Sequence, residues 1–160
     1  MLGPMMKFLM WATAAVALSL PAQAQERQWS LDATNKQAFL VFGVPDTDDV
    51  GLSFWCDIGT DRMAAYLPDS FVRLKSGERT MMRIAVDGKT FLLPATAARD
   101  PASGHITVEG KFKAKDVLMK SLSNGETVAV NIKGHSATYP LADADFEGLL
   151  STCAQVDTGN

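Results

Sequence analysis

The sequence predicts a mainly β fold: a β-sandwich or half-barrel of roughly seven or eight short strands with two short helices, the C-terminal one tied by a disulfide. Three observations predict it. Apolar and polar residues alternate with a period of two through much of the chain after Trp29. Turn-forming clusters, Asp87-Gly88 among them, interrupt that alternation at short intervals. The chain also has only two cysteines, Cys56 and Cys153, placed far apart in the sequence.

In chain order, the first element is an export signal over residues 1–24. Lys7 supplies the positive charge, residues 8–20 form an apolar run, Pro21 ends it, and Ala22-Gln23-Ala24 is the small-x-small pattern of a signal-peptidase site. That run is shorter than the roughly 20 apolar residues a spanning helix needs, and no comparable run follows. The expected mature protein therefore has no integral membrane segment and is periplasmic or secreted. Its domain is expected at 25–155, with a frayed tail at 156–160. The full chain carries a net charge of −3, and loss of Lys7 makes the mature chain slightly more acidic. This balance excludes a general nucleic-acid binder.

Strands are expected at 38–44 (AFLVFGV), a continuous apolar run, and at 50–58, across a turn containing Asp46, Asp48 and Asp49. A further strand follows at 62–67. Met82, Ile84 and Val86 alternate with Arg83 and Ala85, and Asp87-Gly88 turns the chain into 90–94, the clearest hairpin signal present. The polar stretch 96–104 (TAARDPASG) reads as a loop and 105–112 as a strand. Leu118 and Leu122 lie four apart in a helix over 115–122, which Asn124-Gly125 can stop. A second hairpin is expected from 127–133 and 136–141 across Gly134-His135. Asp143 can then cap a last helix over 144–152, with Glu147 near its N-terminal end.

The cysteines fit this plan. Leu52, Phe54 and Cys56 share one face of a strand, and Phe146, Leu149, Leu150 and Cys153 form one stripe of the last helix. In an oxidising compartment, two such thiols in a small domain point to a disulfide that ties the helix to an early strand.

The remaining side chains do not converge on a catalytic centre. His105 follows a loop and could act as a base only beside a nucleophile such as Ser103 or Ser70; no G-x-S-x-G elbow is present. His135 is expected in a hairpin turn, and two histidines alone do not make a metal set. Asp46, Asp48 and Asp49 lack the graded ligand pattern of a calcium loop and read as a solvated turn. The expectation is no enzyme, no cofactor and no metal. The local clue to a binding face is that Lys111, Lys113 and Lys115 recur every second residue, and that Trp55 points away from the Cys56 face, where it is either covered by a second sheet or helix or exposed as a binding anchor. Lysines on an exposed strand also serve simply to discourage aggregation. Arg73, Lys75 and Arg79 add positive charge in another segment.

LSFWC at 52–56 and the closing run VLMKSLSNGETVAVNIKGHSATYPLADADFEGLLSTC at 117–153 resemble the small VasI-like accessory proteins associated with type VI secretion. The segment LMKSLSNGETVAVNI is similar to the invasion-associated locus B proteins as well, although the further cysteines of that group are missing here. The resemblance implies an envelope accessory protein with no catalytic residues to carry over. The function expected is thus an exported, non-enzymatic envelope protein that binds another envelope or secreted protein in a secretion, invasion or stress role. The alternative is a periplasmic carrier of a small ligand or metal in a pocket between sheets.

Overall fold

The computed structural model describes residues 26–68, 73–101 and 103–155. The export signal at 1–24, the tail at 156–160, Ser70 and Phe71 lie outside the described residues. Nine strands form one sheet: β1 (Gln28–Ala33), β2 (Gln37–Gly43), β3 (Val50–Asp57), β4 (Arg62–Leu67), β5 (Arg79–Val86), β6 (Lys89–Arg99), β7 (Ile106–Lys113), β8 (Thr127–Ile132) and β9 (His135–Pro140). Helix α1 (Val117–Asn124) lies between β7 and β8 in sequence, and α2 (Phe146–Cys153) follows β9. The spatial order is β1-β2-β3-β4-β7-β6-β5-β8-β9, with every pairing antiparallel.

The sheet is a half-barrel, and its coil follows from where the apolar residues sit. Leu40, Phe54, Met63, Phe112, Ala95, Ile84 and Val130 come from seven adjacent strands and are all buried on the inner face. Helix α2 covers that face with Phe146, Leu149 and Cys153, and α1 adds Leu118, Met119 and Leu122 to the same core. The coiling brings the two ends of the sheet together. Trp29 Nε1 on β1 donates to the Pro140 carbonyl on β9 at 2.7 Å, and the Tyr139 hydroxyl donates to the Gly51 carbonyl at 3.0 Å. Gly51 is required there, because a Cβ would stand 2.9 Å from Tyr139 Cε1.

The disulfide joins Cys56 on β3 to Cys153 on α2, with Cα atoms 6.0 Å apart and both residues buried. The β5–β6 hairpin also forms, through Asp87 and Gly88 at φ 47° and 85°, the backbone a two-residue primed turn demands.

Strand β1, which the sequence reading did not place, brings the count to nine, and four other details differ from that reading. The stretch expected as a loop at 96–104 begins as strand: β6 runs on to Arg99, because Ala95 to Arg99 pair with Gly110 to Ile106 and Ala97 is buried. The second hairpin turns at Lys133-Gly134 (φ 50° and 85°), one residue earlier, so His135 opens β9 as an exposed partner of Ile132. Asp145, not Asp143, caps α2, its Oδ1 accepting from the Gly148 N–H at 2.8 Å; Asp143 sits in the preceding turn at φ 65°. Helix α1 begins at Val117, so Lys115 belongs to the turn after β7.

Candidate functional site on the outer face of β5, β6 and β7

Strand alternation that buries Met82, Ile84 and Val86 of β5 must turn Arg79, Met81 and Arg83 outward. The Asp87-Gly88 turn then fixes their neighbours on β6: Arg83 faces Leu92, Met81 faces Pro94, and Arg79 faces Thr96. On the far side, Thr96 faces Glu109 of β7, and Lys111 and Lys113 follow at two-residue steps on the same outer face. The result is a strip of apolar side chains, Leu92, Pro94 and Met81, with cations on both sides.

The apolar members are unusually open to solvent for large side chains, with Leu92 56% and Met81 49% exposed. A shallow depression of about 540 Å³ lies along the strip, lined by Arg79, Met81, Pro94, Thr96, Glu109 and Lys111. The cations differ in how they are held. Lys111 lies 3.5 Å from Glu109, and Lys113 lies 3.8 Å from Asp61. Arg79 and Arg83 make no ion pair or side-chain hydrogen bond among the described residues. Exposed pairs of this kind are worth at most about 1 kcal/mol, so both lysines can exchange partners.

No family model, curated protein or solved structure matches this chain.

The structure brings together part of the face expected from sequence. Lys111 and Lys113 project from the outer face of β7, whereas Lys115 leaves the strand. Trp55 lies on the same outer face two strands away, half-buried between Phe39 and Ala64 in register, and Ala64 in turn faces Lys111. Arg79 belongs to the strip. Arg73 and Lys75 instead lie near Glu78 and Lys133, around a separate surface hollow. Sequence reasoning missed Leu92, Pro94, Met81 and Arg83. Their signal was present: they are the residues left over once the buried phase of the β5–β6 hairpin is assigned.

Ser103 and His105 share a second cleft of about 380 Å³ with Arg27, Asp49, Tyr66 and Thr107. The bond between the first two is a turn contact, the His105 backbone N–H donating to Ser103 Oγ at 3.3 Å. Arg27 is paired with Asp49 through two hydrogen bonds. Burial raises the Tyr66 hydroxyl above its ordinary pKa, against a hydrogen bond with Thr107 that lowers it. The cleft therefore presents a neutral phenol and an internally compensated ion pair. Asp46 occupies the β2–β3 turn at φ 60°, and no group of three or more His, Cys, Asp or Glu side chains converges among the described residues.

Proposed function

We propose that this chain is an exported envelope protein that acts by binding another protein through the outer strip of β5, β6 and β7. The observation that carries this reading is the pairing of exposed apolar side chains, Leu92 and Met81, with the uncompensated cations Arg79 and Arg83. Isolated exposed apolar residues are ordinary, but a contiguous apolar strip rimmed by charge is the composition of a recognition surface. The expected export signal and the disulfide are consistent with the envelope, where disulfides persist. No helix among the described residues is long and apolar enough to cross a membrane. The resemblance to VasI-like accessory proteins agrees with a binding role in that compartment.

A carrier would need an interior for its ligand. Here there is one sheet rather than two, and the inner residues of β2 to β8 are packed against α1 and α2. The cleft at Tyr66 and Ser103 would offer a carrier about 380 Å³ at the surface.

Site-specific photocrosslinking in the native host tests the reading. A crosslinker at Leu92 is expected to capture one defined envelope protein, and the same group at Thr138, exposed on β9, is expected to capture none. Equal capture from both positions, or none from Leu92, would refute binding through this strip.

A further inference from the structure

The arrangement of charge around the strip narrows the partner's chemistry. Strand β6 is paired with β5 from Lys89 to Thr96 and with β7 from Ala95 to Arg99, and Pro94, which has no N–H to donate, stands where the β7 pairing begins. A proline at that edge disfavours strand addition, so a partner is met here through side chains. Neighbouring strands lie about 4.8 Å apart, so where Arg79, Thr96 and Glu109 are in register β5 and β7 carry their outward side chains on two rows about 10 Å apart. That is about the diameter of an α-helix with its side chains. Leu92 and Pro94 lie along the midline, with Met81 beside them.

We infer that the partner presents an acidic amphipathic helix that lies along β6, an inference that rests on the protein-binding function proposed above. The helix sets an apolar stripe on Leu92, Pro94 and Met81 and carries carboxylates on both flanks. The spacing along the rows agrees. Lys111 and Lys113 are two strand residues apart, about 7 Å, close to the roughly 6 Å between carboxylates at i and i+4. Arg79 and Arg83 are four residues apart, about 13 Å, close to two helical turns of about 11 Å. Glu109 lies beside Lys111 and Asp61 beside Lys113, whereas Arg79 and Arg83 have no such partner among the described residues, so the partner's acidic residues concentrate toward β5. An anionic bilayer fits less well. The face is the outside of a coiled sheet, a plane meets only a narrow part of it, and the chain as a whole is negatively charged.

The test uses the full mature protein and a synthetic helix of about five turns, with leucines at three- and four-residue spacing and glutamates on both flanks. Its controls are the same peptide with every Glu replaced by Gln, and phosphatidylglycerol-rich vesicles. The glutamate peptide is expected to bind and to shift the amide resonances of Leu92 and Met81. Arg83→Glu and Lys113→Glu, each checked for an unchanged fold by circular dichroism, are expected to weaken it about tenfold or more. The Gln peptide is expected not to bind, and added salt to weaken the glutamate peptide. Binding insensitive to both variants would overturn the inference. So would vesicle binding in place of peptide binding, or a Leu92-dependent dimer in sedimentation. If the peptide fails while the Leu92 crosslinker still captures an envelope protein, the helix is wrong and the binding function stands. If both fail, both are wrong.

Discussion

The two halves of the half-barrel are built from different materials. Around β1 to β3 and α2 the interior is aromatic: Trp29 lies 5.3 Å from Phe42, 6.2 Å from Phe54 and 6.1 Å from Phe146 between ring centroids, and Phe54 lies 5.3 Å from Phe146. The disulfide and the Trp29–Pro140 hydrogen bond lock this half. Around β5 and β6 the interior is aliphatic and small, with Ala95 and Ala97 beside Met82 and Leu93 and Gly110 of β7 against them. A Cβ on Gly110 would meet Met82 Sδ at 3.1 Å and Leu93 Cβ at 3.2 Å, so the sheet is already closely packed there. It is this second half that carries open apolar side chains on its outer face. The contrast teaches that stability and recognition are assigned to different regions, and that each should be alterable with little effect on the other.

The largest expected effect breaks the aromatic half. Replacing both Cys56 and Cys153 with serine opens a bridge spanning 97 positions, which in the chain-entropy model is worth about 4 to 5 kcal/mol. Urea denaturation of the oxidised wild type and the double variant measures it. A difference below about 1 kcal/mol would mean that the aromatic packing holds α2 unaided, and the assignment of the lock to the disulfide would fail.

The other half has an electrostatic anchor, and pH separates it from the first. Asp87, at the tip of the β5–β6 hairpin, accepts the backbone N–H groups of Glu126 and Thr127 at the entry to β8. Those bonds hold its carboxyl below the ordinary aspartate pKa. A lowered carboxylate pKa contributes stability above the unfolded value of about 3.9, and loses it as pH falls through the folded value. Asp87→Asn keeps a side chain suited to positive φ and removes the charge. The variant is expected to be less stable than wild type near neutrality, with the gap closing in acid below about pH 3.9. Thermal melts across that range check it; a constant gap would assign the effect to the turn rather than the carboxylate.

The same contrast explains what was legible in the sequence. The β3 face of Leu52, Phe54 and Cys56, the α2 stripe and the Asp87-Gly88 hairpin could be read because burial imposes a strict period and primed turns demand particular residues. The closing contacts could not. Nothing local marks Trp29 as reaching Pro140, or Tyr139 as reaching Gly51, since these depend on how far nine strands coil. The extension of β6 through Thr96 to Arg99 was hidden by small residues whose alternation, Ala95 and Ala97 in and Thr96 and Ala98 out, carries almost no hydropathy contrast. The binding strip was half visible. Lys111 and Lys113 showed as a period-two pattern, but their neighbours on β5 and β6 emerge only when cross-strand register is known.

The smallest expected effect on stability is at the strip itself, and it sharpens the comparison most. Leu92 is 56% exposed and Arg83 is exposed beside it. Leu92→Ser and Arg83→Glu remove little buried surface and no intramolecular partner, so each should change unfolding free energy by no more than about 0.5 kcal/mol. Surface groups that contribute so little to the fold are free to serve a partner. Either substitution should therefore sharply reduce crosslinking from a neighbouring position, such as Thr96, while leaving the urea midpoint in place. A large loss of stability from Leu92→Ser would show that the strip is packing after all, and the separation between the two halves would collapse.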